Sequence, residues 1–152
     1  MTRVLVLEGP NLNLLGEREP EIYGHQTLRE LHAAVSRHAD ELGLDMSFFQ
    51  SNHEGALIDR LHERDFDIAI VNAGGLTHTS VSLRDALLAI DRPFIEVHLT
   101  DPTKREAFRK VNYLADIAVE SIVGHGPKGY FMALDAVPGH LADAGANASG
   151  GR

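Results

Sequence analysis

Two short apolar runs, VLVL at residues 4–7 and IAIV at residues 68–71, constrain the fold of this chain more than any other feature. Neither alternates with polar residues, so each fits a strand buried on both faces. Such strands need helices on either side, and the sequence supplies them. Thr27-Leu28-Arg29-Glu30 has the pattern of a capping box, and a helix is expected from there to about Leu42, with Leu28, Leu31, Val35 and Leu42 roughly along one face. Gly43 is its expected stop. Further strands are expected at 44–50, 67–73, 93–99 and 117–123, and further helices at 56–63, 80–90, 103–110 and 128–137. Pro138 and Gly139 should end or kink the last helix. From Ala142 onward Ala, Gly, Asn and Ser dominate, so 142–152 reads as a disordered tail after a single α/β domain spanning 1–141.

Five strands alternating with helices imply a parallel sheet covered on both faces. Ligands in such sheets bind outside the carboxyl ends of the strands, near the point where strand order reverses. The unusual stretches of this sequence fall on that edge: GPNLNLLGEREPEIYG after the first strand, NAGGLTHTS after the third, and EVHLTD ending the fourth. Three polar clusters converging there define a candidate site.

Size and charge narrow the chemistry. At 152 residues and 43% hydrophobic, the chain is expected to form one domain with a sizeable core. A formal charge of −8 disfavours nucleic acid and anionic membranes as partners. An anionic ligand would therefore need a local cationic or amide-rich site. The absence of cysteine removes thiolate metal sites and Cys nucleophiles. The run at residues 4–7 stops at Glu8, too short for a signal peptide, and no stretch approaches a membrane span, so a cytoplasmic protein is expected.

Within the first cluster, Arg18 and Tyr23 stand five positions apart. A phenol titrates at about 10 and is a poor base at neutral pH. A nearby guanidinium favours the phenolate, and a tyrosine so activated can remove a proton alpha to a carbonyl. The alternative is a surface tyrosine beside a solvated arginine. Glu96 and His98, two apart on a strand, point to the same side. A carboxylate beside an imidazole can orient it and hold it protonated as a general acid, whereas a core histidine would bond a backbone carbonyl.

In NAGGLTHTS, two glycines allow close backbone approach, Asn72 offers donors and an acceptor, His78 adds a polar tip, and Thr79 or Ser80 is the expected N-cap of the next helix. Arg105 and Arg109 would share a face of the short helix, one reaching the ligand and the other making surface or subunit contacts. His25, His32, His38, His53, His62, His125 and His140 read as solvated or structural. Signatures of zinc hydrolases, P-loops, dinucleotide sites and the nucleophile elbow are missing, and none of the three lysines lies in the clusters. Metal-free acid/base chemistry remains, with a tyrosine base and a histidine acid.

The motifs GPNLNLLGEREPEIYG, QSNHEG, NAGGLTHTS, EVHLT and REAFR, in this order and spacing, closely resemble type II 3-dehydroquinate dehydratases from about Val4 to Leu134. The resemblance implies a flavodoxin-like three-layer sandwich with a five-stranded parallel sheet of order 2-1-3-4-5. It implies dehydration of 3-dehydroquinate to 3-dehydroshikimate, in the shikimate pathway or quinate catabolism, without cofactor and in a dodecamer built as a tetramer of trimers. Tyr23 would be the base taking the C2 proton, with Arg18 stabilising its phenolate and Asn11 holding a water against the enolate. His98, oriented by Glu96, would protonate the departing hydroxyl. The amides of Leu99 and Thr100, the Thr100 hydroxyl and Asn72 would bind the substrate carboxylate. Arg109 and His78 would hold ring hydroxyls, and Asp85 would reach a neighbouring subunit's site. The segment carrying Arg18 and Tyr23 would then be a lid that shuts water out.

The sequence departs from the family pattern in several places. Glu8 stands where asparagine is common, placing a negative charge near the root of the lid. Thr100 replaces serine, DPTKRE an Asn-containing run, Val111-Asn112 a His-Ser pair, and HGPKG a more apolar turn. Two other classes fit the same architecture. A flavodoxin-like ligand-binding domain calls for stacking aromatics, a phosphate loop or an acidic cluster at the strand ends, and Tyr23 is the only aromatic in the three clusters. A catalytically silent paralogue is opposed by the joint presence of Tyr23, Arg18, Asn11 and His98.

Overall fold

The computed structural model describes residues 1–150, apart from the side chains of Tyr23 and of residues 147–150. Strand β1 (Arg3–Glu8) holds the first apolar run and leads through a 3-10 turn at Leu12–Leu14 and a one-turn helix α1 (Pro20–Tyr23) into α2 (Leu28–Leu42). There follow β2 (Asp45–Gln50), α3 (Glu54–His62), β3 (Ile68–Asn72), a 3-10 turn at Gly74–His78, α4 (Val81–Ile90) and β4 (Phe94–His98). Two more 3-10 turns, Pro102–Lys104 and Ala107–Lys110, precede β5 (Glu120–Val123) and α5 (Lys128–Gly150).

All neighbouring strands pair in parallel, in the order β2-β1-β3-β4-β5, as the resemblance implies. The pleat divides the core in two. Val4, Val6, Ile68, Ile70, Ile95 and Val97 face α2 and α5, while Leu5, Leu7, Ala69, Val71 and Phe94 face α3 and α4. The result is a sheet between two helical layers. Each of these strand residues is essentially withdrawn from solvent, which is why the runs carry no polar alternation.

The start and stop of α2 follow directly from its sequence. The Thr27 hydroxyl accepts from the Glu30 amide at 3.1 Å, and the Glu30 carboxylate accepts from the Thr27 amide at 3.4 Å. Gly43 closes the helix with φ 72°, a conformation that costs glycine little. At α4 the Ser80 hydroxyl accepts from the Leu83 amide at 2.9 Å, so Ser80 is the cap.

Within the segment 9–24, Pro20 takes the first position of a helical turn, where its missing N–H costs nothing. Two local expectations differ from the structure. The helix expected at 103–110 is two 3-10 turns separated by an extended Arg105 (φ −110°, ψ −150°). Neither turn buries a residue, so no packing rewards a continuous helix of that length. Finally, α5 runs through Pro138 and on to Gly150, including residues expected to lack structure. Val137 is fully buried, Leu141 packs on the α2/α5 core, and His140 Nε2 lies 2.7 Å from Glu120 Oε1 on β5. These contacts hold the helix on both sides of the proline, and the alanines that follow favour its continuation. Among the described residues, no helix is long and apolar enough to cross a membrane.

Candidate active site

Strands β1 and β3 are neighbours in space, whereas β2 lies beyond β1 and β4 beyond β3, so the carboxyl ends of β1 and β3 form the reversal point of the sheet. There Glu8 pairs in register with Asn72, and the Gly9 amide donates to the Asn72 carbonyl at 2.8 Å. The two chains run so close that a Cβ on Gly9 would stand 2.1 Å from the Ala73 carbonyl oxygen. This contact presses GPN against NAGG and opens a cavity of about 160 Å³ above the strand ends.

All three polar clusters reach that cavity. The first contributes Asn11 and Arg18, the second Asn72 and His78, and the third His98, Leu99 and Thr100. Arg105 and Arg109 line it as well, although the helix expected to align them is broken. Leu12, Leu15 and Pro10 add apolar wall. Four of these side chains carry hydrogen-bonding amide or imidazole groups and three carry guanidinium charge, which suits a small, oxygen-rich anion. The overall charge of −8 is thus reversed locally.

His98 is held in place by a buried carboxylate. Its Nε2 lies 2.9 Å from Glu96 Oε2, and both residues are buried. A carboxylate only accepts, so Nε2 carries the proton in this contact and Nδ1 is left as the second ring nitrogen. Glu96 takes two further donors, Asn112 Nδ2 at 2.8 Å on Oε2 and Ser121 Oγ at 2.8 Å on Oε1. Burial pushes the Glu96 carboxyl upward, but the hydrogen bonds and charge of His98, with Ser121 and Asn112, together outweigh it and hold the group below its ordinary value. Glu96 therefore stays ionised and fixes the ring. The sequence pattern showed the Glu96–His98 pair, but Asn112 and Ser121 were legible only through β5 and the turn before it, which return to β4 from far along the chain. Asn112 is held in turn by accepting from the amides of Leu114 and Ala115 at 2.8 and 2.9 Å.

The segment between β1 and α2 is anchored at its root and tied across the cavity. Asn11 adopts a left-handed conformation (φ 72°), and its amide donates to Asn52 Oδ1 at 3.0 Å. Glu19, also left-handed at φ 42°, places its carboxylate 3.6 Å from Arg18 and 3.8 Å from Arg105. It links the two cationic walls. The backbone of Tyr23 closes α1, while its side chain lies outside the described residues.

The remaining candidates are distributed as follows. His78 Nδ1 donates to the Val111 carbonyl at 2.6 Å, which turns the ring toward the 3-10 turn bearing Arg109. Arg109 Nε donates to Glu106 Oε2 at 2.5 Å. Asp85 is exposed on α4 and does not line this cavity.

Glu8 is not a bare charge at the root of the segment between β1 and α2. It is fully buried on the α2/α5 side of the sheet, where Oε1 lies 2.6 Å from His32 Nε2 and Oε2 accepts from the Tyr130 hydroxyl at 2.9 Å. His32, expected to be solvated or structural, has this structural role and stacks on Phe48 with ring centroids 4.1 Å apart.

Comparison with known proteins agrees with this geometry. The family model described as dehydroquinase class II matches residues 2–138. The chain is 48% identical over 148 residues to the 3-dehydroquinate dehydratase of Ruegeria pomeroyi, covering 96% of this chain and 99% of that one. It is 52% identical over 134 residues to a catabolic 3-dehydroquinase of Fusarium vanettenii, covering 87% and 93% respectively. Among solved structures, the type II dehydroquinase of Butyrivibrio crossotus superimposes with a TM-score of 0.88 at 38% identity, covering 90% of this chain and 97% of that one. With the family model matching residues 2–138 and relatives of about half identity over nearly the whole chain, this chain belongs to the class II dehydroquinase family.

Proposed function

We propose that this chain dehydrates 3-dehydroquinate to 3-dehydroshikimate by anti elimination through an enolate, the step shared by the shikimate pathway and quinate catabolism. The observation that carries this reading is a buried histidine, held by an ionised Glu96, at the wall of a cavity that also contains Asn11, Arg18 and Asn72. Elimination beside a ketone needs a base for the alpha proton and an acid for the leaving hydroxyl. His98 is the acid. Tyr23 is the base, with Arg18 favouring its phenolate, and the place of Arg18 on the cavity wall supports that role. Asn11 holds the water that stabilises the enolate.

The substrate carboxylate is taken by Asn72, the Leu99 and Thr100 amides and the Thr100 hydroxyl, all at the cavity wall. Arg109 and His78 hold ring hydroxyls, and Asp85 acts across a subunit boundary. No cofactor enters the chemistry, and the working form is a homododecamer in the cytoplasm. Exposed apolar side chains at Phe108, Val111, Val81 and Leu88 support self-association. The catalytic unit is residues 1–141.

The test is an assay with 3-dehydroquinate in EDTA, following the ultraviolet absorbance of the conjugated enone, with Tyr23→Phe alongside. Turnover by the wild type and none by the folded variant is the expected result. A folded wild type without turnover would overturn the assignment and favour a silent paralogue.

A further inference from the structure

At the reversal point of the sheet, three buried polar side chains from β1, β3 and α5 form a directed chain that ends at the cavity. Glu8 and Tyr130 are fully buried, and Asn72 is nearly so. Tyr130 donates its hydroxyl proton to Glu8 Oε2 at 2.9 Å, and its oxygen accepts from Asn72 Nδ2 at 3.2 Å. On its other side the Asn72 amide uses Oδ1 to accept from the Gly74 amide at 3.3 Å. Only Asn72 and Gly74 of this set line the cavity.

The direction follows from donor and acceptor chemistry. A carboxylate cannot donate, so the single phenolic proton of Tyr130 must go to Glu8. The phenol oxygen then presents only lone pairs to Asn72, and the amide must turn its nitrogen toward Tyr130. That leaves the second Nδ2 proton of Asn72 for a ligand and withholds the carbonyl oxygen. Burial, with the Glu8 charge beside it, raises the Tyr130 phenol well above its ordinary range, so this phenol keeps its proton. An amide at position 8 would not impose the direction, because it could either donate to or accept from Tyr130.

We propose that Glu8 and Tyr130 are positioning residues that fix the orientation of the Asn72 amide, so that the site presents a donor to an anionic substrate carboxylate. This rests on the assignment of Asn72 to the substrate carboxylate given above. It gives Glu8 a selective function at a site it does not touch. His32, on the other carboxylate oxygen at 2.6 Å, holds Glu8 in place from α2.

The experiment compares wild type, Glu8→Gln and Tyr130→Phe in kinetics with 3-dehydroquinate. Calorimetric binding of the product acid and of its primary carboxamide is measured in parallel. Loss of one hydrogen bond to a charged group should raise KM about tenfold, with kcat within about threefold of wild type. The wild-type preference for acid over carboxamide should shrink in both variants, and the double variant should be no worse than the single ones. A structural role alone would weaken acid and carboxamide equally. Equal weakening, or folded variants whose KM and preference match wild type, would overturn the proposal. Should one variant fail to fold, the other decides. A wild type that neither turns over nor binds the acid would instead overturn the assigned function, a result distinct from failure of the positioning role.

Discussion

Glu96 Oε2 and His98 Nε2 lie 2.9 Å apart on one strand, and the same carboxylate oxygen also accepts from Asn112 at 2.8 Å. The imidazole is thus oriented by a carboxylate that is itself oriented, and its freedom at the cavity wall is small. Removing the proposed acid with His98→Asn should lower kcat by about 10²–10⁴-fold. Glu96→Gln keeps the shape but removes the charge, and should fall between that variant and wild type. Asn112→Ala should cost least, because Ser121 and His98 remain on the carboxylate. Steady-state kinetics of the three variants gives the order directly, and Asn112→Ala as the most damaging would contradict it.

The same carboxylate makes stability depend on pH. The Glu96 pKa is lowered from an ordinary value of 4.5. As pH falls, the unfolded chain takes up this proton before the folded one does. The stabilisation is therefore complete above about 4.5 and is lost as pH falls through the depressed folded value. Thermal unfolding of wild type and Glu96→Gln, followed from about pH 6 to about pH 3, should show their difference narrowing toward acid. A difference that widens in acid would show that the folded pKa is not depressed.

Gly9 tests how the fold positions the site. The atoms a Cβ would meet are the Ala73 carbonyl oxygen at 2.1 Å and its carbon at 2.6 Å, both backbone, so no side chain can swing aside. Gly9→Ala must separate β1 from NAGG at the very place where Asn72 enters the cavity. The expected cost is about 1–3 kcal/mol or more of stability, with a loss of kcat/KM larger than that of a surface alanine. Urea unfolding and kinetics on the same preparation check both. A variant with wild-type kinetics would show that the two loops can part without disturbing the site.

What the sequence made legible was whatever local chemistry decides. The unalternating runs VLVL and IAIV gave the buried strands, Thr27, Glu30 and Gly43 bounded α2, and the spacing of Glu96 and His98 placed both on one side of β4. The less legible features depend on distant partners. Tyr130 meets Glu8 across 122 positions and Ser121 meets Glu96 across 25, and nothing near Glu8 in sequence announces that its charge is paired. The break at Arg105 was hidden for the opposite reason. Residues 103–110 have adequate helix propensity, but no apolar face is buried there, and a short helix without packing does not persist.

Pro138 is the clearest contest between a local rule and tertiary packing. Inside α5 it has no N–H for the carbonyl four residues back, that of Leu134, and its ring crowds the same carbonyl. Yet Leu134 and Val137 before it are fully buried, Leu141 after it packs on the same core, and His140 reaches Glu120. Helix packing on both sides outweighs the defect without removing its cost. Pro138→Ala restores the missing bond without filling any new volume in the core. It should therefore raise stability by about 1–3 kcal/mol, somewhat offset by the greater freedom of the unfolded chain. The gain should appear in urea unfolding and as increased helical ellipticity, with kinetics unchanged because no described residue of α5 lines the cavity. A loss of stability in Pro138→Ala would mean that the proline sits in a bend the packing requires, and that the helix on its far side is held by that bend rather than in spite of it.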